Sequence, residues 1–190
     1  MILFINACVR RNSRTKRLAD HVIARLGDPD IKEVRVWELN LPKVDEAFIN
    51  WRSACSAAGD FSDSIFEPAK DFAAADTIVI AAPYYDLSFP SMLKQYIEQI
   101  CVVGLTFFYN EQDIPQTLCK AKKLYYVTTA GGPIISDDYG YGYVKEVAHT
   151  FFGIQEFHQV KAEMLDVIGY DAETILTETI RSLNIGLTKS

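Results

Sequence analysis

Short continuous apolar runs alternate along this chain with stretches that are apolar at helical spacing, and this order restricts the fold more than any other feature. Ile2-Leu3-Phe4-Ile5, Val34 to Leu39, Thr77 to Ala82, Lys122 to Thr129 and Gln159 to Val167 read as strands. Runs so short and apolar suit strands covered on both faces, and the last alternates as an edge strand does. Leu18, Ala19, Val22, Ile23 and Leu26 repeat at helical spacing behind an N-cap at Asn12 or Ser13 and end at Gly27. Phe66 to Ala75 gives a short helix, and Met92, Leu93, Tyr96, Ile97, Ile100 and Cys101 give a helical stripe, with Ser91 after Pro90 as its cap. Tyr143 to Phe152, closed by Gly153, and the stripe Ile175, Leu176, Thr179, Ile180 and Leu183 complete the helices. Residues 40 to about 66 read as an irregular insertion carrying Trp51 and Phe61. Repeated strand–helix alternation implies a parallel sheet, because right-handed crossovers lay helices on both of its faces.

Five strands in such a sheet suggest the flavodoxin-like order 2-1-3-4-5, and 190 residues suit one domain, 1–190, with the insertion at about 40–66. Ligands in these sheets sit beyond the carboxyl ends of the strands, where strand order reverses. The loops Ala7 to Arg14, Pro83 to Pro90 and Ala130 to Tyr143 are therefore expected to carry the chemistry. A net charge of −6 argues against a whole-protein grip on nucleic acid or an anionic membrane. The longest apolar stretch, Ile100 to Tyr109, is about half of a roughly 20-residue membrane span, and the N-terminal order of charge and apolar run is the reverse of a signal peptide. The four cysteines (Cys8, Cys55, Cys101, Cys119) have no CxxC or zinc-like spacing, and free thiols suit a reducing cytoplasm. Three scattered histidines suggest no metal site.

The first loop concentrates Arg10, Arg11, Arg14, Lys16 and Arg17 within eight positions of an acidic chain that has 19 basic residues in all. A helix N-terminus adds unpaired N–H groups and partial positive charge, and Ser13 and Thr15 add hydroxyls, which is the composition of a phosphate site. The plainer alternative is a capped helix with a solvated basic first turn, which opposes the helix dipole. The loop has no glycine, so it is neither a Walker loop nor a Rossmann fingerprint. The second loop, Ala82-Pro83-Tyr84-Tyr85-Asp86-Leu87-Ser88-Phe89-Pro90-Ser91, is stiffened by two prolines and offers flat apolar contacts to a planar ligand, or is an aromatic turn on the core. The third, Thr128-Thr129-Ala130-Gly131-Gly132-Pro133, lets the backbone approach a ligand closely. Beyond it Tyr139, Tyr141 and Tyr143 form either an aromatic wall or a surface for a partner subunit.

With these residues in view, the chain resembles the flavodoxin-like FMN-dependent NAD(P)H oxidoreductases, the quinone reductases and NADH-azoreductases. The resemblance rests on Ala82 through Tyr96, on Thr129-Ala130-Gly131-Gly132, and on Arg10 through Thr15. It implies that Arg10, Ser13, Arg14 and Thr15 hold the FMN phosphate. It implies that Pro83, Tyr84, Tyr85, Asp86 and Leu87 border the flavin ring, and that Thr129, Ala130, Gly131 and Gly132 donate to its pyrimidine end. No side chain is then required as base or nucleophile, since the flavin N5 carries the chemistry and NAD(P)H is the co-substrate. Electrons pass in a ping-pong cycle to a small-molecule acceptor such as a quinone or azo compound, with Tyr139, Tyr141 or Tyr143 as a proton donor. Relatives of this kind are homodimers, and the helix carrying Met92, Tyr96 and Ile100 or the segment Ile100 to Tyr109 is a candidate face. Two departures stand out: Cys8-Val9 replaces a common Ser-Pro, and Asp86 replaces a common asparagine.

Three other classes compete. Cys8 through Thr15 is a literal Cys-x5-Arg-Ser/Thr string behind the first strand, as in low-molecular-weight phosphatases and arsenate reductases, with Cys8 as nucleophile, Arg14 holding phosphoryl oxygens and Asp137 or Asp138 as acid. A flavodoxin-type electron carrier would bind FMN without turning over NAD(P)H. A receiver domain lacks its acidic residues here, since Ala7-Cys8 and Ala82-Pro83 stand in their places.

Overall fold

The structure is a computed structural model and describes residues 1–183. In chain order it contains β1 (Ile2–Asn6), α1 (Arg14–Leu26), β2 (Ile31–Arg35), α2 (Glu46–Ala58), α3 (Glu67–Ala74), β3 (Thr77–Ala81) and α4 (Ser91–Ile100). A hairpin of β4 (Phe107–Tyr109) and β5 (Pro115–Thr117) follows, then β6 (Lys123–Thr129), α5 (Tyr143–Thr150), β7 (Glu156–Ala162) and α6 (Ala172–Ser182). Five strands form one parallel sheet in the order β2-β1-β3-β6-β7. With the antiparallel hairpin counted apart, the connection from β2 to β3 passes β1 and reverses the direction in which strands are added, which places the switch point between the carboxyl ends of β1 and β3.

Strand side chains alternate between faces, and two separate cores follow from that. Ile2, Phe4, Val79, Ala81, Tyr125 and Val127 pack with Leu18, Ala19 and Val22 of α1 and Leu176 of α6. Leu3, Ile5, Ile78, Ile80, Leu124 and Tyr126 pack with Phe72 of α3, Leu93, Tyr96 and Ile97 of α4, and Val144 and Ala148 of α5. Helix ends are set locally. Ser13 caps α1 by accepting from the Lys16 N–H at 3.2 Å, and Gly27 closes it at a φ of 71°.

Several sequence expectations are corrected. The second strand is Ile31–Arg35, and Val36–Glu38 is a 3-10 turn, so the strand lies earlier than Val34 to Leu39. The insertion at 40–66 is not irregular throughout, because it holds the 13-residue α2, capped by Asp45 and ended by Gly59. Trp51 of α2 stacks on Phe66 at 5.6 Å, and Phe61 meets the same ring edge-on at 5.2 Å. The apolar stretch Ile100 to Tyr109 hides one strand of the hairpin. The last strand ends at Ala162, well short of Val167. Ser91 does not cap α4; Pro90 holds that position with no side-chain bond. Tyr96 and Ile100 are buried in the core, so the stripe they share with Met92 cannot be a subunit face.

Candidate functional site

The first loop leaves the sheet through fixed contacts. Ala7 N–H donates to the Ala81 carbonyl at 2.8 Å. Buried Asn6 accepts from the Cys8 N–H at 2.9 Å and donates to Glu33 at 2.7 Å. The chain then turns, with Ser13 N–H donating to the Arg10 carbonyl at 3.1 Å, and enters α1. The first-turn N–H groups of Arg14 and Thr15 have no acceptor within the helix, as at any α-helical start. The buried Thr15 hydroxyl lies 2.6 Å from the hydroxyl of Thr129, which ties α1 to the end of β6.

The five basic residues divide sharply. Lys16 pairs with Asp20 at 2.8 Å, Arg17 makes two bonds to Glu173 at 2.8 and 2.7 Å, and Arg14 pairs with Asp166 at 2.7 Å. Arg10 and Arg11 are exposed and have no carboxylate partner among the described residues.

The second loop continues the line of β3, because Tyr84 N–H donates to the Thr129 carbonyl at 3.0 Å. Tyr85 and Ser88 then exchange backbone bonds at 2.9 and 2.8 Å around Asp86 (φ 50°) and Leu87 (φ 68°). That is a two-residue turn with both central residues left-handed, a geometry that favours Asn-Gly and costs a bulky residue roughly 1–2 kcal/mol.

The third loop is fastened to the segment after β7. Ala130 N–H donates to the Ala162 carbonyl at 2.9 Å. In return Leu165 and Asp166 N–H groups donate to the carbonyls of Ala130 and Gly131, at 3.2 and 2.9 Å. Glu163 accepts from the Ile134 N–H at 2.6 Å, and Gln159 donates to Asp137 at 2.7 Å. The N–H groups of Gly131 and Gly132 find no acceptor among the described residues.

These loops enclose a cleft of about 250 Å³. Arg10, Ser13, Arg14 and Thr15 line it from the first loop, Pro83, Tyr84 and Tyr85 from the second, and Thr129, Ala130 and Gly131 from the third. Asp86, Leu87 and Gly132 do not line it; the first two form the exposed tip of the turn. Tyr139 and Tyr143 border a neighbouring cleft of about 350 Å³ with Ser88, Phe89, Lys94 and Asp138. Tyr141 packs on Tyr126 with ring centroids 5.8 Å apart, and burial raises its phenol pKa. Asn12, Leu165 and Asp166 complete the 250 Å³ cleft and were not anticipated. The last two lie beyond β7, in a stretch that reads in sequence as more strand. A larger groove, about 460 Å³, runs beside β2 and α3, but its cations are already paired: Lys32 with Asp71 at 2.6 Å and Arg35 with Glu38 at 3.3 Å.

The phosphatase reading fails on Cys8. Its side chain is buried in the core shared with α1, and its thiol lies 3.6 Å from the Ala81 carbonyl. Burial pushes the thiol up to about 11, whereas a nucleophilic cysteine needs the opposite shift. Accordingly, native protein at pH 8 will not hydrolyse p-nitrophenyl phosphate above a Cys8→Ser control. Iodoacetamide will label Cys8 only after unfolding; prompt labelling of the native thiol would contradict this placement.

The fold defines a flavodoxin-like α/β protein, and the chain belongs to that family: the model for the flavodoxin-like fold matches residues 1–184. Among its relatives is the FMN-dependent NADH:quinone oxidoreductase of Clostridium beijerinckii, 32% identical over 190 residues that cover 94% of this chain and 93% of that one. The FMN-dependent NADH:quinone oxidoreductase 2 of Clostridium acetobutylicum is 42% identical over 121 residues, spanning 61% of this chain and 60% of the relative. Among solved structures, azoreductase from Bacillus anthracis superposes with a TM-score of 0.79 at 23% identity, over 95% of this chain and 94% of that one.

Proposed function

We propose that the chain is a single FMN-binding domain over residues 1–190 and acts as an FMN-dependent oxidoreductase, carrying electrons from NADH or NADPH to a small-molecule acceptor such as a quinone or an azo compound. The observation that carries this reading is the convergence of an unpaired arginine, a capped helix start and a close-approach backbone on one cleft. The names of the relatives support it.

The residues present fit FMN. Arg10, the hydroxyls of Ser13 and Thr15 and the first-turn N–H groups of α1 suit a phosphate dianion. Tyr84 lines the cleft, and its buried hydroxyl has no partner among the described residues. Gly131 lines the cleft, and its N–H, which finds no acceptor among the described residues, suits the carbonyl edge of a flavin. Bound there, FMN would supply the two-electron chemistry in a ping-pong cycle. The protein's own work is to hold and orient it and to keep one face open. Pro83 and the Tyr85–Ser88 turn set one wall, and Tyr139 and Tyr143 stand beside it, where either hydroxyl could give a proton to an acceptor. A cytoplasmic location is part of the proposal and is supported by four free thiols, which suit a reducing compartment. We further propose a homodimer that uses the hairpin face, where Phe108, Tyr109 and Ile114 are exposed, and sedimentation of the holoprotein near 21.4 kDa would rule it out.

The test is the visible spectrum of purified protein with added FMN, followed by anaerobic NADH. Bound yellow flavin that bleaches with NADH is the expected result. Protein that stays colourless in excess FMN would overturn the proposal. Bound flavin that neither nicotinamide bleaches would make the chain an electron carrier instead.

A further inference from the structure

We propose that Arg14 and Asp166 form a clasp across the cleft, which opens for a phosphoflavin to enter or leave, and that Asp166 sets how fast it opens. This rests on the FMN reading above. The two residues are 152 positions apart, one at the start of α1 and the other in the loop after β7, and both line the cleft. Arg14 Nη1 donates to Asp166 Oδ1 at 2.7 Å and to the Leu165 carbonyl at 3.3 Å, so the guanidinium reaches across from the first loop to the β7 loop.

The far end of the clasp is anchored. Leu165 and Asp166 N–H groups are bonded to Ala130 and Gly131 of the third loop. A Cβ on Gly131 would stand 2.6 Å from Asp166 Oδ2, so the carboxylate rests against bare backbone. The ion pair therefore closes a ring from the first loop, through the β7 loop, to the third. It engages only Nη1 of Arg14, and Nε and Nη2 remain for a ligand.

The strength suits a clasp. The two side chains are 38% and 67% exposed, and pairs at such exposure bias an equilibrium by about fivefold or less. A pair that weak opens readily and reforms readily.

Three roles for Asp166 give three different kinetic patterns. If it clasps, its loss speeds entry and exit together. If it competes with phosphate for Arg14, its loss slows exit and tightens binding. If it only aims Arg14 at the phosphate, its loss speeds exit alone. Stopped-flow quenching of FMN fluorescence separates them in wild-type protein, Asp166→Asn and Asp166→Glu, each first shown by thermal melting to be folded. The expected result for Asp166→Asn is that both rate constants rise by about fivefold while the dissociation constant stays within about twofold, with Asp166→Glu restoring much of the slow exchange. Unchanged rates, slower exit, or faster exit at an unchanged entry rate would each overturn the clasp and leave the flavin reading standing. Wild-type protein that binds no FMN would overturn both.

Discussion

Arg10→Ala will weaken FMN binding by about 10- to 100-fold and leave riboflavin binding unchanged, because a hydrogen bond to a charged group contributes roughly 1.5–3 kcal/mol. Sequence alone offers five cations for the phosphate between Arg10 and Arg17, with nothing to rank them. The structure ranks them. Lys16 and Arg17 are held outward by Asp20 and Glu173, and Arg14 spends one nitrogen on Asp166. Arg11 does not line the cleft, whereas Arg10 lines it and carries no competing carboxylate among the described residues. Lys16→Ala and Arg17→Ala should therefore change the dissociation constant by less than about fivefold, the upper worth of exposed charges. Fluorescence titration with FMN and riboflavin gives all the numbers. An Arg10→Ala variant that binds FMN within threefold of wild type would remove Arg10 from the phosphate site. Equal losses at Lys16 and Arg17 would show that the loop acts through its bulk charge and not through one contact.

The parts of the fold that sequence revealed are those where burial imposes a clean period. β1 and β3 are covered on both faces and read as nearly continuous apolar runs, and β6 keeps an apolar centre from Leu124 to Val127. α1 and α4 each bury one stripe, and Ser13 and Gly27 mark the ends of α1 as capping chemistry requires. β2 is an edge strand whose Ile31, Lys32, Glu33 and Arg35 are all exposed, so no apolar period marks its position. α2 was missed for a related reason. It has no buried residue, and Phe48, Ile49 and Trp51 do not continue as a large apolar stripe at helical spacing, so only its caps, Asp45 and Gly59, mark it. The hairpin leaves little trace because each strand has only three residues: β4 lies inside the longer apolar run Ile100 to Tyr109, and β5 is Pro-Gln-Thr, which carries no apolar period.

The site was legible to the extent that strand order predicts it. Three loops were named from the position of the reversal, and ten of their thirteen cofactor-site candidates line one cleft. The fourth wall was lost through a single boundary. Val160, Ala162 and Met164 keep alternating, so the pattern runs on, but Met164 has a φ of 67°, which ends the extended chain and turns Leu165 and Asp166 back toward Ala130 and Gly131. A backbone angle leaves little trace in side-chain polarity. Likewise the turn at Asp86-Leu87 carries no glycine, so its left-handed geometry is imposed by the bonds between Tyr85 and Ser88 and not by local preference.

Gly153→Ala will destabilise the protein by about 2–5 kcal/mol, the sum of left-handed strain on an alanine and overpacking against a fixed neighbour. Gly153 has a φ of +63°, and a Cβ there would stand 2.5 Å from Thr117 Cγ2 and 2.8 Å from Thr117 Cβ. Thr117 has little room to yield. Its hydroxyl donates to the Phe152 carbonyl at 2.8 Å and accepts from the Cys119 N–H at 2.9 Å, so two bonds at Oγ1 fix the rotamer. Gly27 supplies the control: its φ is +71°, but a Cβ there meets nothing within 4 Å, so Gly27→Ala carries the strain alone, about 1–2 kcal/mol. Urea unfolding of the two variants separates strain from collision, and for a chain this long each kcal/mol lost lowers Tm by about 2–4 °C. The position matters beyond stability, since Gly153 links α5 to β7, whose far end carries the Glu163–Asp166 wall of the cleft. A loss at Gly153 no larger than that at Gly27 would mean that β5 moves aside for one methyl group, and that the hairpin is only loosely seated on the body of the sheet.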